Sequence, residues 1–141
     1  MDLRETVVEY HRALDEFARG NAVPVKEIYS HQDDVTLANP FGPAVSGWTA
    51  AAAALDYASS RFRDGDMTRF DTLATYECAH LATVLEVEHW RARVGGDEVS
   101  PFTLRVTSTF RREDGAWRLV HRHADPITSP DPAGPLRGLN S

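Results

Sequence analysis

Ionisable side chains that could carry chemistry cluster near the end of the chain, where His121, Arg122, His123 and Asp125 fall within five residues. They belong to the run AWRLVHRHAD, whose alternation is typical of a β-strand. Such groups transfer protons, bind anions or hold a divalent metal. Arg105 lies on the preceding run, FTLRVTSTF, and a turn with the sequence EDGA joins the two runs as a hairpin. If the hairpin lines a cavity, its charges could do chemistry; if it does not, they form an ionic interface.

Two carboxylates interrupt the apolar run LATVLEVEHW. Glu86 and Glu88 are two residues apart, so on a strand they share one face with Trp90. A carboxylate on an apolar strand is costly to bury unless it is paired or protonated, and Arg122 is the natural partner for Glu88. Two interpretations remain open. Glu88 or Glu86 acts as an acid or base in a cavity, or Glu88 and Arg122 form a structural ion pair.

Three helices are expected before these strands. Apolar residues at helical spacing predict a first helix that begins after Asp2 and ends before Gly20. Pro24 can occupy the first turn of a short second helix, 24–29. A third helix is predicted for 48–62, with Asp64-Gly65 as its stop.

The rest of the chain is predicted to be strand. A short strand lies in DVTLANPFG, residues 34–42, followed by long strands at 69–78 and 81–94 and the final hairpin. Cys78 falls in an alternating run and is expected to be buried. The order predicts an α+β fold with helices on one face of a curved, mostly antiparallel sheet. We expect a single domain over residues 1–126 and a loose Pro/Gly-rich tail over 127–141.

Composition excludes several classes of protein. The chain has 141 residues, 42% hydrophobic and 26% charged, with a net charge of −6. That composition is typical of a folded globular domain, and an acidic chain without a basic patch is not expected to bind nucleic acid. No apolar stretch reaches the length of a membrane span, no cofactor motif is present, and the start MDLRETV lacks signal-peptide features. We therefore expect no membrane partner, no cofactor and a cytoplasmic location.

The order of these elements, together with two motifs, resembles a known fold. A short helix ending in Tyr29, then DVTLANPFG, then Gly47-Trp48 opening a helix, is similar to the cone-shaped nuclear transport factor 2-like fold. The closest motif match is to ketosteroid isomerases, which carry a similar D-A-T-V-E-D-P-F-G segment. The final RREDGAWRLVHRHAD resembles the last hairpin of SnoaL-like polyketide cyclase relatives and of the calcium/calmodulin-dependent kinase II association domain. The resemblance covers residues 2–126.

The resemblance implies a hydrophobic pocket for a small apolar carbonyl compound. It also implies cofactor-independent isomerase, cyclase or dehydratase chemistry. Asn39 stands where the isomerases have their catalytic aspartate, and an amide is not a base near neutral pH. A true steroid isomerase is therefore not expected. Asn39 joins Glu88 and Glu86 as a catalytic candidate. The candidate ligand-binding residues are Tyr29, Trp48, Trp90, Ser108 and Arg122.

Alternation along the last strand leaves the pocket face undecided. One face would carry Trp117, Leu119, His121, His123 and Asp125, and the other Arg118, Val120, Arg122 and Ala124. The apolar bias favours the first set as inward-facing, and the family resemblance favours the second. We predict that Arg122 faces the cavity. The outer face then carries Arg105, His121, His123 and Asp125.

The outer set has two interpretations. Its histidines and aspartate could hold a divalent metal, but an interface with a second copy of the chain, in a homodimer, is favoured and no metal is expected. For function, the sequence favours a small-molecule enzyme that works by acid/base chemistry. The alternative is a non-catalytic ligand-binding or association module.

Overall fold

The computed structural model describes residues 1–96 and 98–128, so most of the expected tail lies outside the described residues. The elements in chain order are α1 (Leu3–Ala18), α2 (Val23–Ile28), β1 (Thr36–Ala38), β2 (Val45–Ser46), α3 (Trp48–Ser60), β3 (Phe62–Glu77), β4 (Leu81–Val94), β5 (Val99–Glu113) and β6 (Ala116–Asp125). Within the described residues no helix has the length and apolar character of a membrane span.

The strands form a six-stranded curved sheet in the order β2-β1-β6-β5-β4-β3. All neighbours are antiparallel except β1 and β6, which pair in parallel. The helices pack on one face of the sheet, which confirms the predicted α+β fold. The core lies between them, where Tyr10 and Leu14 of α1 meet Trp90 and Phe110 of the sheet, all at most 2% exposed.

The first helix begins and ends where the sequence predicts. Asp2 caps it, because its Oδ1 accepts the Glu5 backbone N–H at 2.8 Å and Glu5 Oε1 accepts the Asp2 backbone N–H at 3.3 Å. Beyond the helix, Gly20 adopts φ +95°, a left-handed conformation that residues with a side chain rarely adopt. Within the helix so bounded, the side chains of Tyr10 and His11 reach the sheet.

Two local predictions on either side of β3 are wrong. Helix α3 ends at Ser60 and β3 begins at Phe62, so Asp64-Gly65 lies inside a strand and is not a helix stop. Gly65 is needed there for close packing, since a Cβ atom would lie 2.6 Å from the Ala92 Cβ and 2.8 Å from the Ala18 carbonyl oxygen. Cys78, predicted to be buried, is exposed where β3 turns into β4.

A β-bulge in β6 reconciles the two conflicting expectations about its faces. Phe110 pairs with Leu119, but the preceding residue of β5, Thr109, pairs with His121, so Val120 is an extra residue. An extra residue reverses the alternation beyond it. Leu119 and Trp117 are therefore buried before the bulge, and Arg122 and Ala124 are buried after it. The bulge brings Arg122 into the core, which a regular strand with Leu119 inside could not do.

Candidate functional site

Arg122 and Glu88 form a two-point ion pair in the interior. Arg122 Nη1 donates to Glu88 Oε2 at 2.7 Å, and Nη2 donates to Oε1 at 2.8 Å. The side chains are 7% and 0% exposed. Trp90 Nε1 also donates to Glu88 Oε1, at 3.0 Å. Both carboxylate oxygens are thus engaged, which is what a buried carboxylate requires.

The guanidinium is also held from the helix side. Arg122 Nη1 donates to the Tyr10 hydroxyl at 2.5 Å, and the Tyr10 hydroxyl lies 3.1 Å from Ser108 Oγ. Burial raises the pKa of Tyr10 to about 12, so its hydroxyl stays protonated at neutral pH. Burial alone would lower the pKa of Arg122, but the charge of Glu88 together with Tyr10 and the hydrogen bonds to both residues outweighs that effect, and the net shift is upward. The guanidinium is therefore a permanent buried cation.

A small apolar cavity lies against this pair. The volume open to the centre of a water-sized sphere is about 30 Å³, enough for ordered water rather than for a substrate. Its lining is almost entirely apolar, with Arg122 and Asn39 as the polar members. The lining residues are Leu14, Phe17, Val25, Leu37, Asn39, Pro40, Phe41, Leu55, Ala58, Phe62, Trp90, Leu104, Arg122 and Ala124.

Arg122, which lines the cavity, is left with unused hydrogen-bonding capacity. Three of the five guanidinium N–H groups are used by Glu88 and Tyr10. Nε and the second hydrogen of Nη2 bond to none of the described residues. A cation with free donors in an apolar cavity binds an oxygen that carries negative charge.

Asn39 lies at the cavity in the loop between β1 and β2. Its Oδ1 accepts the Phe41 backbone N–H at 3.0 Å, which fixes the carbonyl end of the amide in the turn. Its Nδ2 bonds to none of the described residues and could donate to a ligand. The amide can orient a ligand oxygen, but it cannot remove a proton.

An aromatic wall closes one side of the cavity. Phe62 stacks on Trp90 with ring centroids 5.1 Å apart and on Phe102 at 5.9 Å. Phe41 meets Phe62 edge to face at 5.4 Å. Phe41 is the member of this cluster that comes from a loop rather than from a strand or helix. It is therefore the ring that can move at least cost.

Glu86 does not belong to this cavity, although it shares a strand face with Glu88. Both of its oxygens lie 3.0 Å from His11 Nε2, and Thr72 Oγ1 donates to its Oε2 at 2.9 Å. Glu86 is 1% exposed. The two neighbouring carboxylates thus belong to separate networks, Glu88 with Arg122 and Tyr10, and Glu86 with His11 and Thr72.

Sequence reasoning did not select Tyr10 or His11 as site residues, because consecutive side chains of a helix point in different directions. The structure brings both to the sheet, Tyr10 to Arg122 and His11 to Glu86. The signal was present: two buried carboxylates on β4 require two donors, and Arg122 can serve only one of them.

Three candidate ligand-binding residues lie away from the cavity lining, and one of them is Ser108, whose Oγ lies 3.1 Å from the Tyr10 hydroxyl. The Tyr29 hydroxyl donates to the Thr36 carbonyl oxygen at 2.8 Å, and burial raises its pKa. Trp48 is partly buried at the start of α3 and stacks on the His31 ring at 3.9 Å. Tyr29 and Trp48 therefore pack outside the cavity, whereas Trp90 and Arg122 line the cavity.

The four other ionisable candidates of the hairpin, Arg105, His121, His123 and Asp125, lie on the opposite face of the sheet. Arg105 Nε and Nη2 donate to the two Asp125 oxygens at 2.8 and 2.9 Å, which holds the pKa of Asp125 below its usual range. His121 Nδ1 lies 2.8 Å from Thr36 Oγ1. Partial burial lowers the pKa of His121, and the nearby His123 lowers it further. His123 is 58% exposed. Across residues 1–96 and 98–128, no group of three or more His, Cys, Asp or Glu side chains is arranged to hold a metal ion.

Helices packed on a curved, mostly antiparallel sheet give this chain the fold of nuclear transport factor 2-like proteins of known structure. The chain belongs to the SnoaL-like domain family, whose family model matches residues 3–128. No match was found among curated proteins.

Solved structures share the fold at low sequence identity. A nuclear transport factor 2-like superfamily protein from Salmonella enterica has a TM-score of 0.76 at 17% identity, covering 92% of each chain. A candidate dehydratase of the same family from Streptomyces avermitilis has a TM-score of 0.74 at 17% identity, covering 90% of this chain and 94% of its own. A candidate calcium/calmodulin-dependent protein kinase type II association domain from Thiobacillus denitrificans has a TM-score of 0.70 at 21% identity, covering 89% and 95%. At these identities the likeness extends to the fold alone.

Proposed function

We propose that the protein binds a small apolar compound in the cone cavity through a carbonyl oxygen. The observation that supports this most is Arg122, a buried cation with donors that bond to none of the described residues, in an otherwise apolar cavity. Apolar lining contributes affinity, and one fixed donor sets the orientation of the ligand. Asn39 Nδ2 is the second donor.

Binding requires the cavity to enlarge. About 30 Å³ does not hold a carbonyl compound of even a few carbons, so a wall residue must move. Phe41 is the candidate, since its loop is bounded by Pro40 and Pro43 and is anchored through Asn39. When Phe41 swings out, the ligand takes its place against Phe62, while the Arg122–Glu88 pair stays fixed on the strands.

A second candidate function is cofactor-independent isomerisation, cyclisation or dehydration. A ligand oxygen on Arg122 would be stabilised as an enolate, which is the electrostatic half of such reactions. Glu88, bonded to the same guanidinium, is the acid/base candidate nearest to that oxygen. The candidate dehydratase from Streptomyces avermitilis with the same fold agrees with this chemistry. Because both Glu88 oxygens are engaged, binding without turnover is our first conclusion and catalysis the second.

We infer a homodimer formed through the outer sheet face that carries Arg105, His121, His123 and Asp125. On this face Arg105 and Asp125 form an ion pair, so their charges cancel. The neighbouring strand β4 adds the apolar side chains of Leu85 and Val87. The fold shared with a candidate kinase association domain agrees with an associating role.

The test compares a ketone with a hydrocarbon of the same shape. Cyclohexenone and cyclohexene are titrated by ligand-observed NMR against the protein and against the Glu88→Met/Arg122→Met double variant, which replaces the ion pair by apolar groups. The ketone is expected to bind more tightly than cyclohexene to the protein, and the double variant is expected to lose that preference. Equal preference in both proteins contradicts the role of Arg122. Deuterium incorporation next to the carbonyl decides between turnover and binding.

A further inference from the structure

A second ionisable pair lies outside the cone cavity, where α1 crosses β3. His11 Nε2 lies 3.0 Å from each oxygen of Glu86, and the carboxylate is 1% exposed. Among the described residues its other donor is the Thr72 hydroxyl, and no arginine or lysine pairs with it. The charge of this buried carboxylate is therefore compensated only if His11 carries a proton on both ring nitrogens.

The imidazole is held in one orientation with one nitrogen unused. Its ring stacks face to face on Phe70, with centroids 3.5 Å apart and planes within 6°. With Nε2 directed at Glu86, the other nitrogen, Nδ1, bonds to none of the described residues, and 22% of the side chain is exposed. A carboxylate that fixes one imidazole nitrogen leaves the other as a directed proton acceptor.

This exposed imidazole opens onto a groove between α1 and β3. The volume open to the centre of a water-sized sphere is about 260 Å³ in the groove, compared with about 30 Å³ in the cone cavity. Leu3, Val7 and Val84 give the groove an apolar lining. Arg4 also lines it and makes no ion pair within the described part of the chain, while Glu77 gives the groove a negative charge at the end of β3.

We propose that this groove binds a small aliphatic carboxylic acid. The ligand enters as its carboxylate, the form of an aliphatic acid near neutral pH. His11 takes up a proton from solvent at Nδ1, and the carboxylate accepts a hydrogen bond from Nδ1–H, while Nε2–H stays directed at Glu86. The imidazolium then lies between two carboxylates and compensates the buried one. The hydrocarbon chain lies along Leu3, Val7 and Val84.

The charges of the groove select an acid over other amphiphiles. An alcohol hydrogen-bonds to Nδ1 but does not charge the ring, so Glu86 stays uncompensated. An amine brings a positive charge to a site that already contains Arg4. Glu77 repels a carboxylate from its part of the groove, so the ligand head lies at His11.

Hexanoate is the probe, with hexylamine as the matched control ligand. Methyl and histidine-ring NMR signals of the unmodified protein are followed during titration with each. We expect hexanoate to shift the signals of His11, Val7 and Val84, and hexylamine to leave them unchanged. A His11→Gln variant, which keeps a donor to Glu86 but cannot take the proton, is expected to bind hexanoate at least tenfold more weakly. His31→Gln, on the ring that stacks on Trp48, is the matched control and is expected to bind hexanoate as the unmodified protein does.

The outcomes separate this site from the cone cavity. If hexanoate shifts Leu104 and Leu14 of the cone cavity instead of the groove methyls, the second site is wrong while the carbonyl site stands. If hexanoate shifts neither set, or binds His11→Gln as tightly as the unmodified protein, the proposal is overturned. The NMR mapping uses the unmodified protein and therefore does not depend on the variant's folding.

Discussion

Arg122 and Glu88 meet through two hydrogen bonds of 2.7 and 2.8 Å at the centre of the cone, with almost no exposure to solvent. The pair joins β6 to β4 across β5, and Tyr10 ties it to α1. It therefore fixes the geometry of the cavity whether or not the cavity does chemistry.

Breaking the pair from one side is expected to be costly. Glu88→Gln leaves the Arg122 cation buried without its counterion, which should reduce the free energy of unfolding by about 3–5 kcal/mol. The Glu88→Met/Arg122→Met double variant removes both charges and should lie within about 1–2 kcal/mol of the unmodified protein. Urea unfolding of the three proteins measures both values. A loss below about 1 kcal/mol in Glu88→Gln would show that the pair is not desolvated in solution.

Tyr10 is expected to make stability fall in alkaline solution. Its folded pKa of about 12 lies above its ordinary value of 10.0, so between these pH values the unfolded chain loses a proton that the folded chain keeps. The free energy of unfolding should therefore decrease as pH rises from 10 towards 12. Urea unfolding at several pH values measures this slope, and Tyr10→Phe should make it less steep. An unchanged slope in Tyr10→Phe would show that the phenol is solvated when folded.

Phe41 is expected to limit access to the cavity. Phe41→Ala removes the loop ring that packs on Phe62, so the cavity should admit cyclohexenone about tenfold more tightly, since no ring need be displaced. Calorimetric titration measures the change. Tyr57→Ala, at an aromatic residue of α3 that is 56% exposed, is the matched control and should bind as the unmodified protein does. Equal affinity in Phe41→Ala and the unmodified protein would mean that ligand enters by another route.

The outer sheet face is expected to be the dimer interface. Leu85 lies on that face in register with Thr107, which in turn pairs with His123. Leu85→Glu would place an unpaired charge at the interface and should weaken dimerisation at least tenfold in sedimentation equilibrium. Tyr57→Glu on α3 carries the same charge away from the sheet and should leave association unchanged. A monomeric unmodified protein, or equal effects of the two variants, would contradict this interface.

Much of the architecture follows from the sequence because the signals are local. The capping box at Asp2, the apolar stripe of α1 and the EDGA turn each fix an element without reference to the rest of the chain. The interior face of β4 was also predictable, since Glu86, Glu88 and Trp90 are buried and alternate without interruption with partly buried residues. These elements carry the family resemblance that the match over residues 3–128 confirms.

The features that sequence could not supply depend on contacts distant in the chain. The bulge at Val120 depends on how β6 pairs with β5, and no residue type in β6 predicts it. Asp64-Gly65 resembles a helix stop in sequence, yet Gly65 lies in a strand, where its missing side chain lets α1 pack close to β4. His11 becomes a partner of Glu86 only through the way α1 crosses β3. In each case tertiary packing decided between local alternatives of similar energy.

The guanidinium Nε–H signal of Arg122 in ¹⁵N NMR reports directly on whether Arg122 donates a hydrogen bond to a ligand oxygen. Titration with cyclohexenone is predicted to shift this signal with the same dissociation constant as the ligand signals, whereas cyclohexene should leave it in place. Binding of cyclohexenone that leaves the Arg122 Nε–H signal in place would contradict the proposed hydrogen bond from Arg122 to the ligand oxygen.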